Sequence, residues 1–94
     1  LVSMSRLERT FRVLGNRRRL AILRLLMARK RLTVADIAEA IKLSFTSTSK
    51  HLRLLDHAGI VEPELAGRYV YYRLAQPDSP ALKTLLGLVA HSPR

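Results

Sequence analysis

The sequence predicts a mainly helical domain that carries one β-hairpin. Apolar residues recur at the helical period through residues 5–58 and again over 81–90, whereas the period changes to two after Gly59. The predicted order is α-α-α-α-β-β-α, with helices at about 5–14, 17–28, 34–41, 45–58 and 81–90 and a hairpin at 60–74. The 94 residues suit one domain, 1–94, and the absence of cysteine excludes disulfides and thiolate metal sites.

The first two helices meet at a break in the apolar pattern. Leu7, Phe11 and Leu14 form one stripe, and Gly15-Asn16 ends it in the way that helix C-termini end. Residues 17–28 are apolar on most sides. This predicts a second helix that lies in the middle of the domain.

The third and fourth helices are separated by only a few residues. Thr33 and Ser44 stand where a hydroxyl caps a helix by accepting a hydrogen bond from a first-turn N–H. Gly59 ends the fourth helix. Two helices joined so closely make a helix-turn-helix candidate.

A hairpin and a last helix complete the pattern. Pro63 confines the first strand to a sheet edge or a bulge, and Ala66-Gly67 is a tight turn. The second strand alternates, and we expect Val70 and Leu74 on its packed face. Pro80 is suited to begin the last helix. This order of elements in one small layer predicts a winged helix.

The charge distribution points to an anionic partner. Lys and Arg number 17 against 7 Asp and Glu, and ten of the 17 fall in the first 31 residues beside the single acid Glu8. Such clustering favours a polyanion, above all nucleic acid, over the alternative of a solvated basic face. Since no apolar run approaches the ~18 residues of a bilayer span and no signal-peptide pattern is present, we expect a soluble, cytoplasmic protein without a membrane partner. Whether Leu1–Ser3, which precede Met4, are native stays open.

The fourth helix has two contrasting faces. Thr48, Leu52 and Leu55, together with Phe45, are expected to face the core. The opposite face is polar and cationic, as a helix inserted in the major groove requires. A Ser/Thr-rich helix start that merely caps itself is the alternative. The residues predicted to contact double-stranded DNA on this face are Thr46, Ser47, Ser49, Lys50 and Arg53.

Basic residues outside this helix are expected to bind phosphates, and two apolar stripes to bind a second copy. Arg68 lies beside Gly67 at the hairpin tip, and Arg17, Arg18 and Arg19 begin the second helix. The stripes of the first and last helices exceed what a domain of this size can cover, so we expect a homodimer. The predicted interface residues are Leu7, Phe11, Leu14, Leu82, Leu85, Leu86 and Val89.

Several motifs together resemble ArsR-type winged-helix repressors over residues 7–90. They are LGNRRRLAILRLL at 14–26, LTVADIA at 32–38, SKHLRLL at 49–55, AGIV at 58–61 and GRYVYYRL at 67–74. The resemblance implies a homodimeric transcriptional repressor that binds an imperfect inverted repeat and leaves it when an effector binds.

The family's two sets of metal ligands are incomplete in this sequence. Thr33 and Ala35 stand where soft-metal sensors of the family carry cysteines. Asp78 and His91 keep two positions of a second family site, but Pro80 and Arg94 replace its other ligands. Zinc needs at least three protein ligands and a water, so we expect no metal and no cofactor, and the effector stays unidentified.

Two other functions are weighed against DNA-binding repression. One is a winged-helix module that docks a protein partner through its terminal stripes, and the other is nonspecific nucleic-acid binding, including RNA. An enzyme is not expected, because the sequence has no cysteine, no histidine–carboxylate pair at a useful spacing, no glycine-rich phosphate loop and no metal cluster.

Overall fold

A computed structural model describes residues 3–77 and 80–92. Its helices are α1 (Met4–Leu14), α2 (Arg17–Ala28), α3 (Val34–Ile41), α4 (Phe45–His57) and α5 (Pro80–His91). Its strands are β1 (Leu32–Thr33), β2 (Val61–Ala66) and β3 (Tyr69–Leu74). The predicted fold class, mainly helical with a hairpin wing, is confirmed. Within the described residues, no helix has the length and apolarity that crossing a membrane requires.

Side-chain caps fix where four of the helices begin, and Ser3 caps α1 by accepting a hydrogen bond from the N–H of Arg6 at 3.2 Å. Thr33 accepts a hydrogen bond from the N–H of Asp36 at 3.1 Å, and Ser44 accepts one from Ser47 at 3.0 Å. Both predicted caps are therefore confirmed. Asn16, which the sequence marked only as a break, caps α2 by accepting from the N–H groups of Arg18 and Arg19.

The wing is part of a three-stranded antiparallel sheet with the order β1-β3-β2. β1 was not predicted, and it pairs Leu32 with Tyr72 and Thr33 with Tyr71. Two residues show no alternation from which a strand could be read. The predicted tight turn is present, with Gly67 at a φ of 63° that favours glycine.

The core is centred on α2, as the sequence predicts. Ile22 and Leu23 are fully buried, and α2 packs against α1, α3, α4, α5 and β3. The remaining core comes from every other helix and from the start of β2. The buried side chains around α2 are Val13, Leu14, Ile37, Leu52, Leu55, Ile60, Val61, Leu82 and Leu86.

One expectation about the hairpin is wrong. Val70 is 42% exposed, whereas Tyr72 and Leu74 pack against the core. Val70 pairs with the exposed Leu65 close to the turn, where the hairpin extends beyond the helices that could cover it. The expectation that this face of the second strand packs on the helices therefore holds only at the base of the wing, at Tyr72 and Leu74.

Candidate nucleic-acid interface

Helix α4 presents the two faces that the sequence predicts. Thr48, Leu52 and Leu55 are fully buried. On the opposite side Thr46, Lys50 and Arg53 are exposed, and Ser47 and Ser49 are partly exposed. The hydroxyls lie in the first turns of the helix and the two cations follow. One surface therefore combines short side chains, which let a partner approach the helix backbone closely, with positive charge.

Phe45 does not face the core, contrary to the expectation. It is the first residue of α4 and 59% exposed. The buried stripe of α4 begins one turn later, at Thr48. Phe45 therefore adds an aromatic ring to the exposed N-terminal end of α4.

The hydroxyl of Thr48 is buried without a hydrogen-bond partner within the described residues. An unpaired buried hydroxyl destabilises the folded state by about 1–3 kcal/mol. Thr48 is therefore the one polar side chain in the core that the packing does not satisfy, again within the described part of the chain.

Arg19 has a structural role that the sequence did not reveal. Its Nε donates to the carbonyl oxygen of Val13 at 2.5 Å, and its Nη1 lies 3.2 Å from Nδ1 of His51. Burial, and then the charges of Arg19 and Arg18, lower the pKa of His51. A neutral His51 can accept a hydrogen bond from Arg19, which joins the end of α1 and the start of α2 to α4.

This contact removes Arg19 from the group of arginines expected to bind phosphate. The neighbouring Arg17 and Arg18 are exposed, and Nη1 of Arg18 donates to the carbonyl oxygen of Ile41 at 3.3 Å. Ile41 ends α3, so Arg18 lies beside the turn that leads into α4. Two of the three arginines thus remain available next to the helix-turn-helix.

The wing carries one unpaired cation at its tip. Arg68 is exposed directly after Gly67. Within residues 61–74 the other cation, Arg73, forms ion pairs with Glu62 and Glu64. Arg68 is consequently the residue of the hairpin that can bind an external anion.

The base of the wing is fixed to the helical body. Arg31 pairs with Glu64, and its guanidinium lies 4.2 Å from the centre of the Tyr71 ring. On the other face of β3, burial, followed by the charge of Asp56 on α4, raises the pKa of Tyr72. The Arg31 contacts join both strands of the hairpin to the residue before β1, while β3 packs against α2 and α3 and β2 packs against α4.

The structure places the predicted interface residues in two environments. Leu14 of α1 and Leu82 and Leu86 of α5 are buried in the chain's own core, because both helices pack against α2. Leu7, Leu85 and Val89 are partly exposed. Among the predicted interface residues, only Phe11 is more than half exposed, at 52%. Met4 and Leu88, which were not predicted to lie at the interface, are exposed at 81% and 64%.

The described residues contain no group of three or more His, Asp or Glu side chains that could hold a metal ion. His91 is exposed at the end of α5. Asp78 and Arg94, which were compared with the family's second metal site, lie outside the described residues.

Comparisons with known proteins agree with this geometry. Residues 16–63 match the family model described as "Bacterial regulatory protein, arsR family". The HTH-type transcriptional regulator Rv0324 of Mycobacterium tuberculosis is 37% identical over 87 residues, which is 93% of this chain and 38% of that protein. The arsenical resistance operon repressor of Escherichia coli K12 is 37% identical over 71 residues, 76% of this chain and 60% of that protein.

A solved structure shows the same architecture. The homodimeric winged helix-turn-helix DNA-binding domain of Mb0332 from Mycobacterium bovis is 37% identical, with a TM-score of 0.77 over 93% of this chain and 80% of that one. The present chain spans between 38% and 60% of the length of the curated relatives named above.

Proposed function

The chain belongs to the arsR family of bacterial regulatory proteins, and from this premise we infer that it is a transcriptional repressor that binds double-stranded DNA as a homodimer. The observation that carries this proposal is the exposed face of α4. It offers short hydroxyl side chains at the N-terminal end of the helix and two cations one and two turns further on. The cytoplasm, where the DNA lies, is the proposed location.

The geometry of α4 suits the major groove. Thr46, Ser47 and Ser49 are small enough for the helix backbone to approach the base edges, where their hydroxyls can donate or accept. Lys50 and Arg53 can then contact base acceptors or flanking phosphates. No acidic side chain precedes Asp56 on this helix, so nothing on the inserted part repels the phosphates.

Phosphate contacts outside α4 would orient the domain on the duplex. Arg17 and Arg18 lie at the start of α2 beside the α3–α4 turn, and Arg68 lies at the wing tip. For roughly 6–10 phosphate contacts, DNA affinity is expected to fall by about 10³–10⁵ between 50 and 200 mM salt. A flat salt profile would contradict DNA as the ligand.

The second copy is proposed to bind through the exposed apolar side chains of α1 and α5. These are Phe11 and Met4 on α1 and Leu88 on α5, with the partly exposed Leu7 and Leu85 beside them. The related domain from Mycobacterium bovis is described as homodimeric. A two-fold axis would place two copies of α4 in successive major grooves, about 34–36 Å apart.

Selection of bound fragments from a random duplex library tests this function. We expect enrichment of an inverted repeat whose half-sites are one helical turn apart. The double variant Lys50→Ala, Arg53→Ala should lose most of its affinity for the selected duplex, whereas Lys83→Ala, an exposed lysine on α5, should bind like the unmodified protein. Equal binding of all duplexes would instead indicate nonspecific nucleic-acid binding, and no binding would indicate a protein-interaction module.

A further inference from the structure

A groove lies between α2 and the C-terminal end of α5. Its volume is about 1120 Å³, which is enough for a small organic ligand. The residues around it come from the α1–α2 turn, from α2, from the last residues of α3, and from the end of α5 with the residue Ser92 after it. Phe11 on α1 and Leu88 on α5 are exposed residues that we propose to contact a second copy. Neither of them lines the groove.

The floor of the groove is apolar. Leu20, Leu25, Met27 and Val89 line it and are only partly buried, although they pack against the core. The chain therefore leaves one side of α2 in contact with water. Covering these side chains would gain roughly 25 cal/mol for each Å² of apolar surface removed from water.

The groove is also strongly cationic. Arg17, Arg18 and Arg24 line it, and within the described residues no Asp or Glu does. Arg18 donates to the carbonyl oxygen of Ile41, while Arg17 and Arg24 have no hydrogen-bond or ion-pair partner in the part of the chain that the structure describes. Guanidinium groups bind carboxylates through paired N–H donors.

We propose that this groove binds a small organic carboxylate with an apolar tail, such as a medium-chain fatty acid. The tail would lie on Leu20, Leu25 and Val89, and the carboxylate would pair with the unpartnered guanidinium of Arg24. A second copy of α1 is a poorer occupant, since Met4–Leu14 carries three arginines against one glutamate and would bring like charge to the groove.

The site has a consequence for regulation, which rests on the proposed function. Arg17 and Arg18 line the groove and are also the phosphate contacts proposed for α2. A carboxylate paired with Arg24 adds a negative charge to the groove that Arg17 and Arg18 also line, and this charge opposes their attraction to the DNA phosphates. Binding of the carboxylate and binding of DNA are therefore opposed, which is how an effector releases a repressor.

Octanoate is the probe for the ligand. Its binding is measured by NMR from the chemical shifts of the methyl groups of Leu20, Leu25 and Val89. We expect saturable shifts with octanoate and much weaker shifts with octan-1-ol, which has the tail only, and with acetate, which has the charge only. Arg24→Gln should weaken octanoate binding about tenfold through loss of one charged contact. Arg9→Gln, the same change at an exposed arginine of α1 outside the groove, should leave it unchanged.

The proposal is overturned if octanoate gives no saturable shift, if octan-1-ol binds as tightly, or if Arg24→Gln and Arg9→Gln behave alike. It is also overturned if octanoate converts dimers to monomers, because the groove is then a subunit contact. Saturating octanoate should weaken binding to the selected duplex by at least tenfold, and an unchanged affinity would refute the regulatory role. Failure of the protein to bind DNA without octanoate would refute the proposed function and leave the ligand measurement intact.

Discussion

The contact between Arg19 and His51 leads to a prediction about stability. Replacing Arg19 by Gln removes the guanidinium that donates to the Val13 carbonyl and lies against the His51 ring. Hydrogen bonds to charged groups contribute about 1.5–3 kcal/mol each, and Arg19 is only partly buried. We therefore expect the free energy of unfolding to fall by about 2 kcal/mol and the melting temperature to fall by roughly 10 °C.

Arg17→Gln is the matched control, because Arg17 lies two residues earlier on the same helix and is exposed without a partner in the described structure. Its effect should stay within about 0.5 kcal/mol. Urea and thermal unfolding at one protein concentration measure both variants, since dimer stability depends on concentration. Equal losses in the two variants would refute the view that Arg19 joins α1 and α2 to α4.

Three further predictions follow from the buried, titratable and exposed residues. Thr48→Val should raise the free energy of unfolding by about 1 kcal/mol, since it removes an unsatisfied buried hydroxyl at nearly constant volume; a loss of stability in urea unfolding would contradict this. Because the folded pKa of His51 is lowered from 6.5, the unfolded chain binds the proton more tightly, so stability should be full above pH 6.5 and should decline below it. His51→Gln should flatten this decline, and identical pH profiles would count against it. The double variant Phe11→Glu, Leu88→Glu should sediment as a monomer, whereas Lys83→Glu should stay dimeric; a dimeric double variant would refute the proposed interface.

Local patterns accounted for most of the fold. The apolar periodicity of α2 identified the helix at the centre of the core, and the hydroxyls of Thr33 and Ser44 marked the starts of α3 and α4. These features depend on residues within one or two turns of each other. β1 was not predicted, because a strand of two residues has no periodicity of its own. Only its pairing with Tyr71 and Tyr72 defines it.

The candidate site could be predicted only where one helix determines it. The faces of α4 followed from helical spacing, and the error at Phe45 arose because spacing does not tell where the core ends. The contact of Arg19 with His51 joins residues 32 positions apart, so no local pattern could reveal it. The stripe on α5 was correctly read as apolar, but whether Leu82 and Leu86 cover α2 or a second copy depends on the packing of the whole chain.

Interference by methylated bases is the measurement that tests the insertion of α4 most directly. Dimethyl sulfate methylates guanine N7, which lies in the major groove, and adenine N3, which lies in the minor groove. The methylated bases that prevent binding therefore show which groove the protein occupies. We predict that N7 methylation blocks binding in two clusters about one helical turn apart, and that the Lys50→Ala, Arg53→Ala variant loses this pattern. Interference confined to adenine N3, or none at either groove, would contradict the placement of α4 in the major groove.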